Sequence, residues 1–155
     1  MIEFVVFGEA VPQGSTRAFI PKGWTRAIIT TDNKRLKPWR QEVAGMAKHA
    51  MDEQRQEMVD AKIPVRVKAT FYFEKPKTAK KSLVHKATRP DVDKLARSLL
   101  DSLAGIVFAA DSQVAQCWVN KAFGSPARAE ISVSILEETQ KTLDVEMEEA
   151  QSLFN

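Results

Sequence analysis

The residues in this chain best placed to do chemistry are three aspartates. Asp91 and Asp93 lie in the run Arg89-Pro90-Asp91-Val92-Asp93, and Asp111 lies in Ala109-Ala110-Asp111-Ser112-Gln113. They bracket one short amphipathic segment and follow a stretch that is basic and free of acids. Carboxylates are hard oxygen donors, and Mg²⁺ takes oxygen ligands in an octahedron, usually one or two carboxylates with water and substrate phosphate. Such a site suits phosphodiester hydrolysis, because the metal polarises phosphoryl oxygens, generates a hydroxide-like nucleophile and stabilises the leaving alkoxide. A neighbouring cation would neutralise charge in the transition state. Arg97 stands four residues after Asp93, hence on the same side of a helix, although an ion pair with Asp93 or Asp101 explains it equally well.

Each aspartate also has a purely local explanation. Asp91 precedes the amphipathic stripe and can act as an N-cap, while Asp93 in the first turn favours the positive end of the helix dipole. Asp111 fits a turn before a strand. A helix of about 13 residues is roughly 20 Å long. Asp111 therefore approaches Asp91 only if the chain from Gly105 to Ala110 travels back along that helix, and six extended residues at about 3.3 Å each just cover the distance.

The elements that must position these groups follow from periodicity. Val92, Leu95, Ala96, Leu99, Leu100 and Leu103 form one apolar stripe at helical spacing, ended by Gly105. Residues 65 to 73 alternate as a strand and lead into the basic loop. A first strand over residues 2 to 8, a hairpin over 17 to 31 around Pro21-Lys22-Gly23, and a helix from 38 to 59 precede it. Strands near 114 to 122 and 127 to 135, separated by Gly124-Ser125-Pro126, read as an antiparallel hairpin, and residues 137 to 153 as an acidic helix. The expected fold is α/β of the α+β kind, a small mixed sheet with two principal helices in a single domain. Residues 1–136 form the domain and residues 137–155 an acidic C-terminal extension.

Length and composition bound the rest. With 155 residues, 44% hydrophobic and 28% charged, one core of ordinary globular composition is expected. No apolar run approaches the roughly 20 residues that span a bilayer. The first residues lack the positive start and long apolar run of a signal peptide, so the expected location is cytoplasmic, with no membrane partner. Cys117 is the one cysteine, and His49 and His85 are the two histidines, which excludes a disulfide and argues against a zinc cluster. The net charge of +3 hides an asymmetry: the last fifteen residues hold Lys141 against Asp144, Glu146, Glu148 and Glu149. Basic charge concentrates in two segments. One carries Arg17, Lys22, Arg26, Lys34, Arg35, Lys37 and Arg40; the other carries Lys75, Lys77, Lys80, Lys81, Lys86 and Arg89 with His85. Such clusters are either solvated loops or the footprint of contacts to nucleic-acid phosphates. Trp24, Trp39, Trp118 and Tyr72 offer stacking surfaces, with core packing the stronger expectation for Trp39 and Trp118.

The runs Arg89 to Leu95, Leu100 to Leu103 and Gly105 to Val114, together with Phe7 to Arg17, resemble the signature of RusA-like Holliday-junction resolvases, crossover junction endodeoxyribonucleases often found in phages and prophages. The resemblance extends over about residues 4 to 135. It implies that Asp91, Asp93 and Asp111 are metal ligands of a Mg²⁺-dependent nuclease, with Mn²⁺ as a substitute, and that Asp101 is a supporting carboxylate. It further implies a homodimer acting on branched DNA, the four-way junction, through paired symmetric cuts. A two-fold dimer has two identical sites to offer a two-fold junction. The loop from Lys75 to Arg89 would hold the junction arms. Three positions depart from the pattern: Arg97 stands where lysine is typical, Lys94 where asparagine is frequent, and Ala110 where relatives often carry a second acid. Two rival readings remain at this level, a non-catalytic module binding branched or single-stranded nucleic acid, and a nuclease of wider range cutting flaps or forks.

Overall fold

The computed structural model describes residues 1–14, 16–31, 33–136 and 147–153. Its elements run β1 (Ile2–Phe7), β2 (Thr16–Phe19), β3 (Ile28–Thr31), α1 (Leu36–Glu53), β4 (Val65–Phe73), α2 (Val92–Leu103), a 3₁₀ turn (Asp111–Gln113), β5 (Val114–Phe123) and β6 (Arg128–Ile135). Among the described residues two sheets result: β2 pairs with β3, and the main sheet has the order β1-β6-β4-β5. This is the mixed α+β fold with two principal helices that the sequence predicts.

β4 is the hinge of the design. Its odd positions, Val65, Val67, Ala69, Phe71 and Phe73, are all buried under the helices. The intervening Arg66, Lys68, Thr70 and Tyr72 lie on the opposite face, because successive side chains of a strand alternate. α1 lays Leu36, Trp39, Val43, Ala47, Ala50 and Met51 on that core, and α2 adds Leu95, Leu99 and Leu103. Each such fully buried aliphatic or aromatic side chain contributes about 1.5–3 kcal/mol relative to exposure.

β5 and β6 are not a hairpin, which corrects the reading from sequence. β4 lies between them, parallel to β5 and antiparallel to β6. Residues 124–127 step across the end of β4, a distance of about two strand spacings, near 10 Å, that four residues can cover. Glu74, just past β4, holds this step: its Oε1 accepts from Ser125 Oγ and from Ala127 N, both at 3.1 Å. Gly124 N donates to the Phe73 carbonyl at 3.0 Å, and a Cβ there would sit 2.6 Å from the Tyr72 ring. Periodicity reveals strands but not which neighbour each one takes.

α1 also ends earlier than its apolar pattern implies, at Glu53. Gln54 turns its amide onto β1, donating to Glu3 O at 2.8 Å and accepting from Glu3 N at 3.2 Å, and Arg55 follows at a left-handed φ of 51°. The acidic helix expected over 137–153 falls partly outside the described residues; within them, residues 147–152 are helical.

β4, α2 and β5 together make a parallel strand-helix-strand unit. The loop from residue 74 to 91 leaves the end of β4, α2 runs back along the sheet, and β5 rises again beside β4. Asp91 stands at one end of this unit and Asp111 at the other.

Candidate functional site

Asp91 occupies the N-cap position of α2, yet its side chain makes no capping hydrogen bond. It faces Lys94 at 3.2 Å, both groups about half exposed. The chain before it is held by Lys121, on the helix-facing side of β5, whose ammonium donates to Thr88 O at 2.8 Å and Pro90 O at 2.7 Å. A lysine donating to two backbone carbonyls fixes where the helix starts. From the other side, Gln13 N donates to Lys94 O at 3.0 Å, bringing the segment after β1 against the first turn of α2.

Between these parts lies an open cleft of about 570 Å³, lined by residues 9 to 14, Asn33, Arg35, Arg89, Pro90, Asp91 and Lys94. Two carboxylates, Glu9 and Asp91, thus share a wall with three cations, Arg35, Arg89 and Lys94. Gln13 Oε1 is buried here without a hydrogen-bond partner, and a buried acceptor left so is costly. Arg35 belongs to the N-terminal basic segment that sequence marks for phosphate contact, whereas Glu9, Gln13 and Lys121 are not singled out by sequence. Lys121 had one readable signal, a lysine between Val119 and Phe123 on the core-facing register of β5.

The other predicted residues lie as follows. Asp93 and Arg97 are exposed on α2, and Arg97 forms no ion pair with Asp93 or Asp101. Asp101 lies nearer the far end of α2 and pairs with Arg40 of α1 at 3.6 Å. Asp111 opens the 3₁₀ turn before β5. That turn is locked by Gln113, which accepts from Ala110 N at 2.9 Å and donates to Asp60 O at 2.6 Å and Ile63 O at 3.0 Å. The chain after α2 does not travel back along the helix: Val107 N bonds Leu103 O at 2.9 Å, Val59 N bonds Val107 O at 2.9 Å, and Gly105, at a φ of 79°, closes the turn onto Phe108 O at 2.7 Å. Twelve helical residues at about 1.5 Å each put roughly 18 Å of α2 between the two acidic ends.

Oxygen donors of the right kind for a hard divalent cation are therefore present at the cleft, in Asp91, Glu9 and Gln13 Oε1. One chain does not gather the three aspartates, and among the described residues no three of His, Cys, Asp and Glu are grouped closely enough to hold a metal ion.

The basic loop divides in two. Lys75 and Lys86 serve the fold: Lys75 donates to Lys81 O at 2.8 Å, and Lys86 stands over the rings of Phe73 and Phe123 at 5.4 and 5.6 Å. Lys77, Lys80, Lys81 and Arg89 are exposed and lead directly to Asp91. Arg17 lies on the β2–β3 hairpin, which also exposes Phe19, Ile20, Trp24 and Ile29. Trp39 is core, as expected. Trp118 is not: it is 53% exposed on β5, with Lys68 4.4 Å above its ring, because it is in register with Lys68 on the face of the sheet turned away from the helices.

The family model described as Endodeoxyribonuclease RusA matches residues 9–134. The chain is also similar to a Bacillus subtilis (strain 168) protein described as uncharacterized protein YqaN, with 30% identity over 142 residues, covering 85% of this chain and 94% of that one.

Proposed function

Because the chain belongs to the RusA endodeoxyribonuclease family, we propose that it is a divalent-metal-dependent nuclease that resolves Holliday junctions by paired, symmetric phosphodiester cleavage. The observation that carries this reading is the cleft at the start of α2, where Asp91 and Glu9 face Arg35, Arg89 and Lys94 beside a loop of exposed lysines. Carboxylates alone would repel a phosphodiester. Cations alone would bind it without cutting. Their combination is what hydrolysis of a polyanion requires.

A bound Mg²⁺, with Mn²⁺ as substitute, would supply Lewis-acid polarisation of the scissile phosphate. The chain's own residues do the remaining work. Arg35 and Arg89 engage phosphate oxygens through the bidentate geometry of guanidinium. Lys121 keeps the loop and Asp91 in register with the sheet. Lys77, Lys80 and Lys81 contact backbone phosphates outside the cleft, and Arg97, exposed one turn beyond Asp93, supplies a further cation to DNA lying along α2. Among the described residues no helix is long and apolar enough to cross a membrane, and a nuclease acting on DNA suits the cytoplasm.

Incubation of labelled four-way junctions with wild type and Asp91→Asn in Mg²⁺ tests this. The expected result is equal binding with symmetric paired nicks by wild type alone. Junction binding without cleavage by wild type would instead support a binding module, a reading favoured by the separation of Asp91 from Asp111. Cleavage of flaps or forks as fast as junctions would support the wider nuclease.

A further inference from the structure

We propose that the β2–β3 hairpin is a wedge that seats its apolar tip, Trp24 foremost, on base faces opened at the branch point of the DNA. This rests on the branched-DNA reading above and adds to it the group that tells a junction from plain duplex.

The hairpin is built as an arm. β2 pairs antiparallel with β3, in the register Arg17↔Thr30, Ala18↔Ile29 and Phe19↔Ile28. Among the described residues between Val11 and Leu36, none enters the hydrophobic core. The tip is a tight turn in which Trp24 N donates to Pro21 O at 3.0 Å, with Gly23 at a φ of 86°, the positive angle that the third residue of a type II turn requires. Residues 17 to 22, at about 3.3 Å each, carry that tip at most roughly 20 Å from the stem.

The arm holds large apolar side chains in water. Phe19, Ile20, Trp24 and Ile29 are each at least half exposed. Phe19 and Ile29 lie on opposite faces of the ribbon, because residues paired in register share a face and successive ones alternate. Folding the ribbon down onto its own chain by either face would leave one of them exposed. An apolar group displayed in this way marks a binding surface.

The surroundings of that group identify its occupant. Arg17, Lys22 and Arg26 interleave with it, and no acid occurs from Ala10 to Thr31. The matching partner is a polyanion that also has flat apolar faces, which is nucleic acid. The stems decide where on the DNA the arm acts. The chain enters the hairpin from Gln13 and Gly14 and leaves it towards Asn33 and Arg35, and all four line the cleft that holds Asp91. DNA with its scissile phosphate in that cleft passes beside the arm.

A ribbon can also enter the major groove, but base edges are read there by hydrogen-bonding side chains. The four exposed apolar side chains offer rings and methyl groups instead. Those meet complementary surface on base faces, which a continuous duplex keeps stacked. At a branch point the stack is interrupted, so an inserted side chain has less unstacking to drive.

Binding without divalent metal tests the wedge, using a four-way junction with 2-aminopurine beside the crossover and a linear duplex of equal length with the same label. Wild type should brighten the label in the junction, as its base unstacks, and not in the duplex. Trp24→Ala should weaken junction binding about tenfold, the loss of one stacked base. It should also abolish the brightening while duplex affinity and the urea midpoint stay unchanged, and Trp24→Phe should restore both junction readouts. Lys22→Ala should weaken junction and duplex binding equally, because a phosphate contact does not distinguish them. Equal losses on the two substrates for Trp24→Ala would overturn the wedge in favour of general backbone contact. So would a Trp24→Ala chain that sediments as a smaller species than wild type, which makes the tip a contact between copies. Wild-type binding to phosphatidylserine vesicles that Trp24→Ala loses would overturn it in favour of a lipid surface. A wild type that cuts no DNA in Mg²⁺ defeats the nuclease reading, while these metal-free measurements still decide the wedge.

Discussion

The two ends of α2 hold the same residue type in opposite ways. At the start of the helix, Asp91 is half exposed in an open cleft, with only Lys94 among the described residues at ion-pair distance. At the far end, Asp111 belongs to a turn that Gln113 ties by three hydrogen bonds to Ala110, Asp60 and Ile63. One end is arranged to receive a ligand and the other to keep its shape. Substitutions at the closed end should cost stability, and substitutions at the open end should cost function with the fold intact.

The largest effect on stability is expected at Gln113, which is 8% exposed. Gln113→Ala leaves buried backbone groups unpaired, each costing about 1–3 kcal/mol, and should lower the unfolding free energy in urea by roughly 2–3 kcal/mol. A loss under about 0.5 kcal/mol would break the contrast. Next is Lys121→Met, which removes two charge-assisted hydrogen bonds to the loop before Asp91. A stability loss of about 1.5–3 kcal/mol should accompany a fall in nicking rate under conditions where the protein remains folded.

At the open end, Lys80→Ala with Lys81→Ala should leave the urea midpoint unchanged and weaken junction binding. The slope of log affinity against log salt should fall by about 0.9 for each lost phosphate contact. An unchanged slope would show that these lysines merely solvate the loop. The smallest effect is expected at Arg40, whose pair with Asp101 at 3.6 Å is partly exposed on both sides. Arg40→Ala should cost no more than about 1 kcal/mol, and a substantial loss of cleavage there would return Asp101 to the site.

Burial of the Cys117 side chain raises its thiol pKa. The thiolate is therefore scarcer at neutral pH than in a free cysteine, and maleimide labelling should accelerate as pH rises.

The strands, the two helices and the acidic pair at Asp91 and Asp93 are legible because each depends on local periodicity. Val65 to Phe73 alternates, and Leu95, Leu99 and Leu103 repeat at helical spacing. What could not be read is pairing. Whether Val114 to Phe123 lies beside β4 or β6 depends on which neighbour buries more surface, and no local pattern encodes that choice. The same limit applied to the site, where Glu9, Gln13 and Lys121 reach the cleft from segments more than 75 residues upstream or about 30 downstream of Asp91.

By itself the chain determines its acidic pair, its basic loop and the helix that follows, since residue type and spacing within one segment are enough for those. Tertiary structure alone decides that Asp111 leaves that helix at the wrong end to join them. A parallel strand-helix-strand unit must carry the chain the whole length of the sheet before the next strand begins, and sequence separation takes no account of that distance.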